Sequence, residues 1–125
     1  MNWTATAAIM LALAVAIGAF GAHGLQGRLD THSLGTYEKA VFYHFIHALG
    51  MLAVPLLVRA GLISATAGNW TGWLLLAGIA LFSGSLYLLA ITGVRALGAV
   101  TPFGGASFIA AWVTLAVCAS LSHKS

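Results

Sequence analysis

The run Trp3–Ala22, WTATAAIMLALAVAIGAFGA, holds no acid, no base and no histidine. A helix of roughly 20 such residues, rising 1.5 Å per residue, crosses a hydrocarbon core about 30 Å thick. Two further charge-free runs have the same character, Trp70–Thr92 and Pro102–Leu121. A fourth, Ala40–Val58, lacks Asp, Glu, Lys and Arg but carries His44 and His47. Four such segments in 125 residues leave little chain outside the bilayer. The pattern predicts an all-α integral membrane protein, an up-down four-helix bundle forming one domain over residues 1–125. Its spans fall at about 3–22, 40–58, 70–92 and 102–121.

Composition excludes most other classes. Hydrophobic residues make up 61% of the chain and Asp, Glu, Lys and Arg 6%, too few charges to cover a water-soluble surface. The formal charge of +3 comes from dispersed bases, Arg28, Lys39, Arg59, Arg95 and Lys124. No cluster of them can follow successive phosphates, which argues against nucleic acid. The lipid bilayer is the partner that the composition does require. Cys118, the single cysteine, sits in an apolar run as a small packing residue. Ala19-Phe20-Gly21 resembles a signal-peptide cleavage site, but Met1-Asn2-Trp3-Thr4 lacks the positive segment that such a signal needs. The first helix is therefore expected to be retained.

Polar links at about 23–36, 59–69 and 93–101 join the spans, so successive helices run antiparallel as neighbours. The last link ends in Thr101-Pro102, where threonine is expected to cap the fourth helix and proline to open it. Trp3, Trp70 and Trp73 fall at the membrane face of the second link, and Tyr37, Tyr43 and Tyr87 toward the other face, as interfacial belts would. Arg59 and Lys124 stand on the first of these faces against Arg28, Lys39 and Arg95 on the second. Two bases against three leave the orientation open.

Close packing between lipid-embedded helices uses small residues. Gly104, Ser107, Ala111, Thr114, Cys118 and Ser122 form one stripe on the fourth helix. Ala5, Ala8, Ala12, Ala16 and Ala19 form a second on the first helix, and Ala77, Ala80, Ser83, Gly84 and Tyr87 a third. All three are expected to face inward.

The alanine stripe of the first helix continues to His23. His44 and His47 share a face of the second helix, roughly 5 and 9 Å below its boundary by the helical rise, with Glu38 and Lys39 above them. His23, Glu38, His44, His47, Ser83 and Tyr87 form the candidate polar cluster. Three readings fit it. The histidines are neutral interhelical ties to Ser83, Tyr87 or a backbone carbonyl; or His23, His44 and His47 hold a metal or haem; or the cluster is a proton-titratable or polar-substrate site. No C-x-x-C, H-E-x-x-H or acidic ligand set accompanies the histidines, so no cofactor is assigned and no catalytic residue is named. His47 is the deeper, and is expected to face the interior and bond to Ser83, Tyr87 or His23. Trp112 lies mid-helix, as a lipid-facing or packing aromatic, or with its indole N–H in an interior cavity. His32 and His123 fall in a link and in the tail.

The chain resembles a family of small four-helix membrane proteins of unknown function that includes the YgdD-like bacterial proteins. The resemblance rests on Gly18-Ala19-Phe20-Gly21-Ala22-His23-Gly24-Leu25, on Tyr37 through Leu49, on Leu81 through Ala90, and on Leu97 through Gly105. It implies a multi-pass protein of the bacterial inner membrane and no reaction. In that family the second block more often carries glutamine and an aromatic before the single histidine of His-Ala-Leu, so His44 is a departure. The leading expectation is a non-enzymatic accessory or assembly partner, as a homo-oligomer or with other membrane proteins. A small-solute or proton carrier through the histidine cluster, and a haem- or metal-binding redox subunit, are the alternatives.

Overall fold

The computed structural model describes residues 1–124; the side chains of His123 and Lys124, and all of Ser125, lie outside the described residues. Four long helices are present, each apolar enough to cross a membrane. They are α1 (Trp3–Gly24), α2 (Thr31–Arg59), α3 (Ala65–Thr92) and α4 (Thr101–Lys124), with a short 3₁₀ helix at Arg95–Ala99 before α4.

Side-chain caps set three of the starts. Asn2 accepts from the Ala5 N–H, Asp30 from Ser33 and Ser64 from Ala67, satisfying amides that a helix cannot pair internally. The Asp30 cap explains why α2 begins nine residues before the apolar run: Thr31–Lys39 is mostly polar, yet it is helical. Thr101 does not cap α4 as expected. It is itself helical, and its hydroxyl lies 2.6 Å from that of Ser85. Gly93, at φ 73°, closes α3 in the left-handed conformation. Gly35 lies inside the exposed start of α2, where an added methyl meets nothing within 4 Å. Gly35→Ala is expected to raise stability by about 0.5–1 kcal/mol, read as a higher midpoint of thermal unfolding in detergent.

Helix α1 packs along α2, α4 packs along α3, and α2 packs on α3. The buried positions recur at alternating four- and three-residue steps. On α1 they are Trp3, Ala7 and Ala14, with partly buried Met10 and Ile17, then Gly21; on α2 they are Tyr37, Ala40, His44, His47, Met51 and Val54. This spacing keeps one seam inward along shallowly crossing helices. One core, shared by all four helices, holds Trp3, Ala7, Met51, Val54, Leu75 and Phe108. A second, around Leu25, Tyr37 and Ala90, closes the face that carries two of the links.

The inward stripe of α1 differs from the one expected. Ala5, Ala8, Ala12, Ala16 and Ala19 are all exposed to the lipid side. Alanine repeats on several faces of this helix, so the close contacts decide the rotation. An added methyl at Gly21 would meet the Tyr37 ring at 2.3 Å, and one at Gly18 would meet Val41 at 3.3 Å. These glycines must point at α2, which turns the alanine stripe outward. The α4 stripe does face inward from Gly104 to Cys118, while Ser122 is exposed.

Helix α3 contains a π-helical turn at Ile79–Ser83, where the Gly84 N–H reaches back to the Ile79 carbonyl. Such a turn inserts one residue into the helical register. The buried series therefore runs Leu75, Ile79, Ser83, with two successive steps of four, before Leu86 and Ala90. Ala77 and Ala80, expected inside, are exposed, whereas Ser83 is fully buried. The turn lies where α4 comes closest: an added methyl on Gly104 would sit 2.2 Å from the Phe82 backbone nitrogen.

Candidate functional site

The π turn points Ser83 at α2, and its hydroxyl donates to the Ala40 carbonyl at 2.8 Å. One turn further along α3, the Tyr87 hydroxyl meets His44 Nδ1 at 2.8 Å. His44 is 3% exposed, and its Nε2 is buried without a hydrogen-bond partner. The Met10 backbone of α1 is also near the ring. His44 thus stands where three helices meet and ties two of them.

His47 is buried as expected, but its bond is not interhelical. Its Nδ1–H donates to the Tyr43 carbonyl of its own helix at 2.8 Å, which fixes the proton on Nδ1. Its link to another helix is a stack on the Phe108 ring, with centroids 3.5 Å apart and planes 13° from parallel. Tyr43, Phe82 and Trp112 complete an aromatic cluster around it. The interhelical hydrogen bond expected of His47 belongs to His44, because the α2 seam aims His44 at α3 and His47 at α4.

His23 and Glu38 are exposed and lie outside this arrangement. The reason for His23 is the rotation of α1, which carries its alanine stripe, and the histidine at its end, away from the core. Among the described residues, no three His, Cys, Asp or Glu side chains converge as metal ligands would. Four of the six candidate residues come together, His44, His47, Ser83 and Tyr87.

Other polar groups at depth are also spent on packing. Ser107 donates to the Leu74 carbonyl at 2.6 Å, and the Tyr37 hydroxyl donates to the Ile17 carbonyl. Trp3, expected in the interfacial belt, is 5% exposed, and its indole N–H donates to the Asn69 side chain at 2.8 Å. Its ring fills the space left by Gly72, where an added methyl would lie 2.4 Å away. Tyr37 and Tyr87 likewise serve inside rather than in a belt, while Trp70 and Trp73 are exposed as a belt requires. Toward the α2–α3 loop the interior below His47 is mostly apolar, with Met51, Val54 and Leu75 fully buried beside Thr71. Asn69, Phe108 and the Tyr37 bond escape sequence reading, since each depends on helix rotation. Gly50 carries the signal for Trp112, whose ring occupies the position of its missing side chain at 2.5 Å.

Outside the core, α2 and α4 separate toward the α2–α3 loop. They leave a cleft of about 590 Å³ lined by Leu57, Leu62, Ile63, Trp112, Ala116 and Ala119. Trp112 thus borders an apolar cleft on the outer side of the bundle, not an interior cavity.

A family model described as a protein of unknown function, DUF423, matches residues 17–105. The chain belongs to the DUF423 family. It is 51% identical over 108 residues to a UPF0382 membrane protein of Staphylococcus epidermidis, covering 84% of each chain. It is 47% identical over 114 residues to the UPF0382 membrane protein YwdK of Bacillus subtilis, covering 90% of each. No solved structure matches. The chain is accordingly a multi-pass protein of the bacterial cell membrane, from a family with no assigned biochemical activity. The DUF423 match takes in His44, His47, Ser83 and Tyr87 and ends at Gly105, just past the close contact of Gly104 with α3.

Proposed function

We propose that this DUF423 protein is a non-enzymatic accessory or assembly partner that binds other transmembrane helices, of further copies or of a second membrane protein. The apolar cleft between α2 and α4 carries this reading. Its wall combines flat, small surfaces at Ala116 and Ala119 with bulky ones at Trp112 and Leu62. Lipid-embedded helices associate through such complementary surfaces.

The state of the interior supports the same reading over a carrier. His44, Ser83 and Tyr87 are engaged with one another's helices, and Met51, Val54 and Leu75 stand between them and the far face. In that direction the fully buried core of the described residues offers one polar side chain, Thr71, whose hydroxyl is bonded to the Ala67 carbonyl, and Thr114 and Cys118 of α4 are only partly buried. Purification in a gentle detergent, followed by mass determination of the complex, is expected to show a homo-oligomer or a stoichiometric membrane partner. A strictly solitary monomer under those conditions contradicts the proposal.

A further inference from the structure

On the face opposite the cleft's loop, the start of α2 and the end of α3 enclose a pocket of about 400 Å³. One wall carries Asp30, the cap of α2, with His32 and Thr36 of that helix; the other carries Arg95 from the 3₁₀ helix; Leu89 and Ala90 supply an apolar floor. Opposite charges thus line one small pocket from two different elements, and no ion pair joins them. The Asp30 carboxyl accepts the Ser33 N–H at 2.7 Å. That bond, the Ser33 hydroxyl and the neighbouring His32 hold its pKa below the ordinary aspartate range, so it stays charged well below neutral pH.

We propose that this pocket binds a phosphoethanolamine group, with its phosphate at Arg95 and its primary ammonium at Asp30. Arginine presents a fork of N–H donors suited to phosphate oxygens. A carboxylate matches an ammonium that still has hydrogens to donate, and a quaternary ammonium has none. The pocket sits at the membrane boundary, because α3 ends at Thr92 and its last turn exposes Leu88 and Ile91 at 53% and 51%. The Leu89 and Ala90 floor is continuous with that lipid-facing turn. A membrane phospholipid can therefore seat its headgroup in the pocket while its chains run down α3.

The test uses the full chain in detergent with equimolar dioleoyl phosphatidylethanolamine, phosphatidylcholine and phosphatidylglycerol, and reads retained lipid by native mass spectrometry. Phosphatidylethanolamine is expected to be retained about tenfold over either competitor, the scale of one charge-assisted hydrogen bond. Asp30→Asn keeps the helix cap, since asparagine caps as well as aspartate, and is expected to bring phosphatidylethanolamine and phosphatidylcholine to parity. Arg95→Gln is expected to weaken retention of all three. Unchanged thermal unfolding of both variants separates lost binding from lost fold. Equal retention of the three lipids by the wild type, or an unaltered preference in Asp30→Asn, overturns the proposal. Displacement by free phosphoethanolamine assigns the same site to a soluble ester; failure to displace assigns it to the lipid.

Discussion

Gly104→Ala is expected to destabilise the bundle by about 3 kcal/mol, at the upper end of what overpacking costs. The added methyl would lie 2.2 Å from the Phe82 backbone nitrogen and 2.6 Å from its Cα, and a backbone cannot swing aside as a side-chain tip can. Either α4 moves outward along its first turns or the π turn of α3 is displaced. The first would disturb the Ser85 contact with Thr101, and the second the Ser83 bond to Ala40 as well. The neighbouring Gly105→Ala is the control, because its methyl would meet only the Phe82 ring at an ordinary 3.8 Å. Equilibrium unfolding of the two variants against rising dodecyl sulfate fraction in mixed micelles reads the difference directly. Equal stability of the pair would show that α3 and α4 are not packed backbone to backbone at this point.

The second large effect concerns the histidines. His44→Leu removes an interhelical hydrogen bond and leaves the Tyr87 hydroxyl unpaired inside the bundle, an expected loss of about 2 kcal/mol. His47→Leu is expected to lose under about 1 kcal/mol, since leucine can fill the space over Phe108 and only a stacking preference disappears. The Tyr43 carbonyl, which accepts from His47 Nδ1, keeps its helical backbone bond in the variant. This order reverses the one that depth alone suggests. A double-mutant cycle of His44→Leu with Tyr87→Phe should show clear coupling, whereas the cycle of His47→Leu with Tyr87→Phe should be additive.

What the sequence reveals here follows from the bilayer. The length and charge-free character of the runs fix the number of spans, and the antiparallel order follows from short links. The inner stripe of α4 is legible because one face gathers Gly104, Ser107, Ala111, Thr114 and Cys118 while others carry Phe, Ile and Val. Alanine gives no such contrast on α1, so its rotation is set by the partners of Gly18 and Gly21, residues some 20 positions away in the chain. On α3 a single extra residue in the π turn shifts the register halfway along, and no periodicity taken over the whole span can place both halves. The candidate site inherits both effects. Ser83, at the end of the π turn, and Tyr87, one turn beyond it, both bond to α2, at Ala40 and His44, while His23 is lost with the rotation of α1. Asp30 could have announced the early start of α2, since an aspartate before a helical stretch is a strong cap signal.

The interior histidines hold helices together, and the outer α2–α4 cleft is the surface proposed to meet other membrane helices. Mass determination of the complex in gentle detergent, for Ala116→Trp beside the double variant His44→Leu/Tyr87→Phe, separates these roles. Ala116 is exposed on the cleft wall, so tryptophan there fills the cleft without entering the core. Ala116→Trp is expected to unfold like the wild type yet fall to the mass of a single chain, while the double variant, though less stable, keeps its partners. Intact assembly in Ala116→Trp together with dissociation of a still-folded double variant would contradict this division of roles.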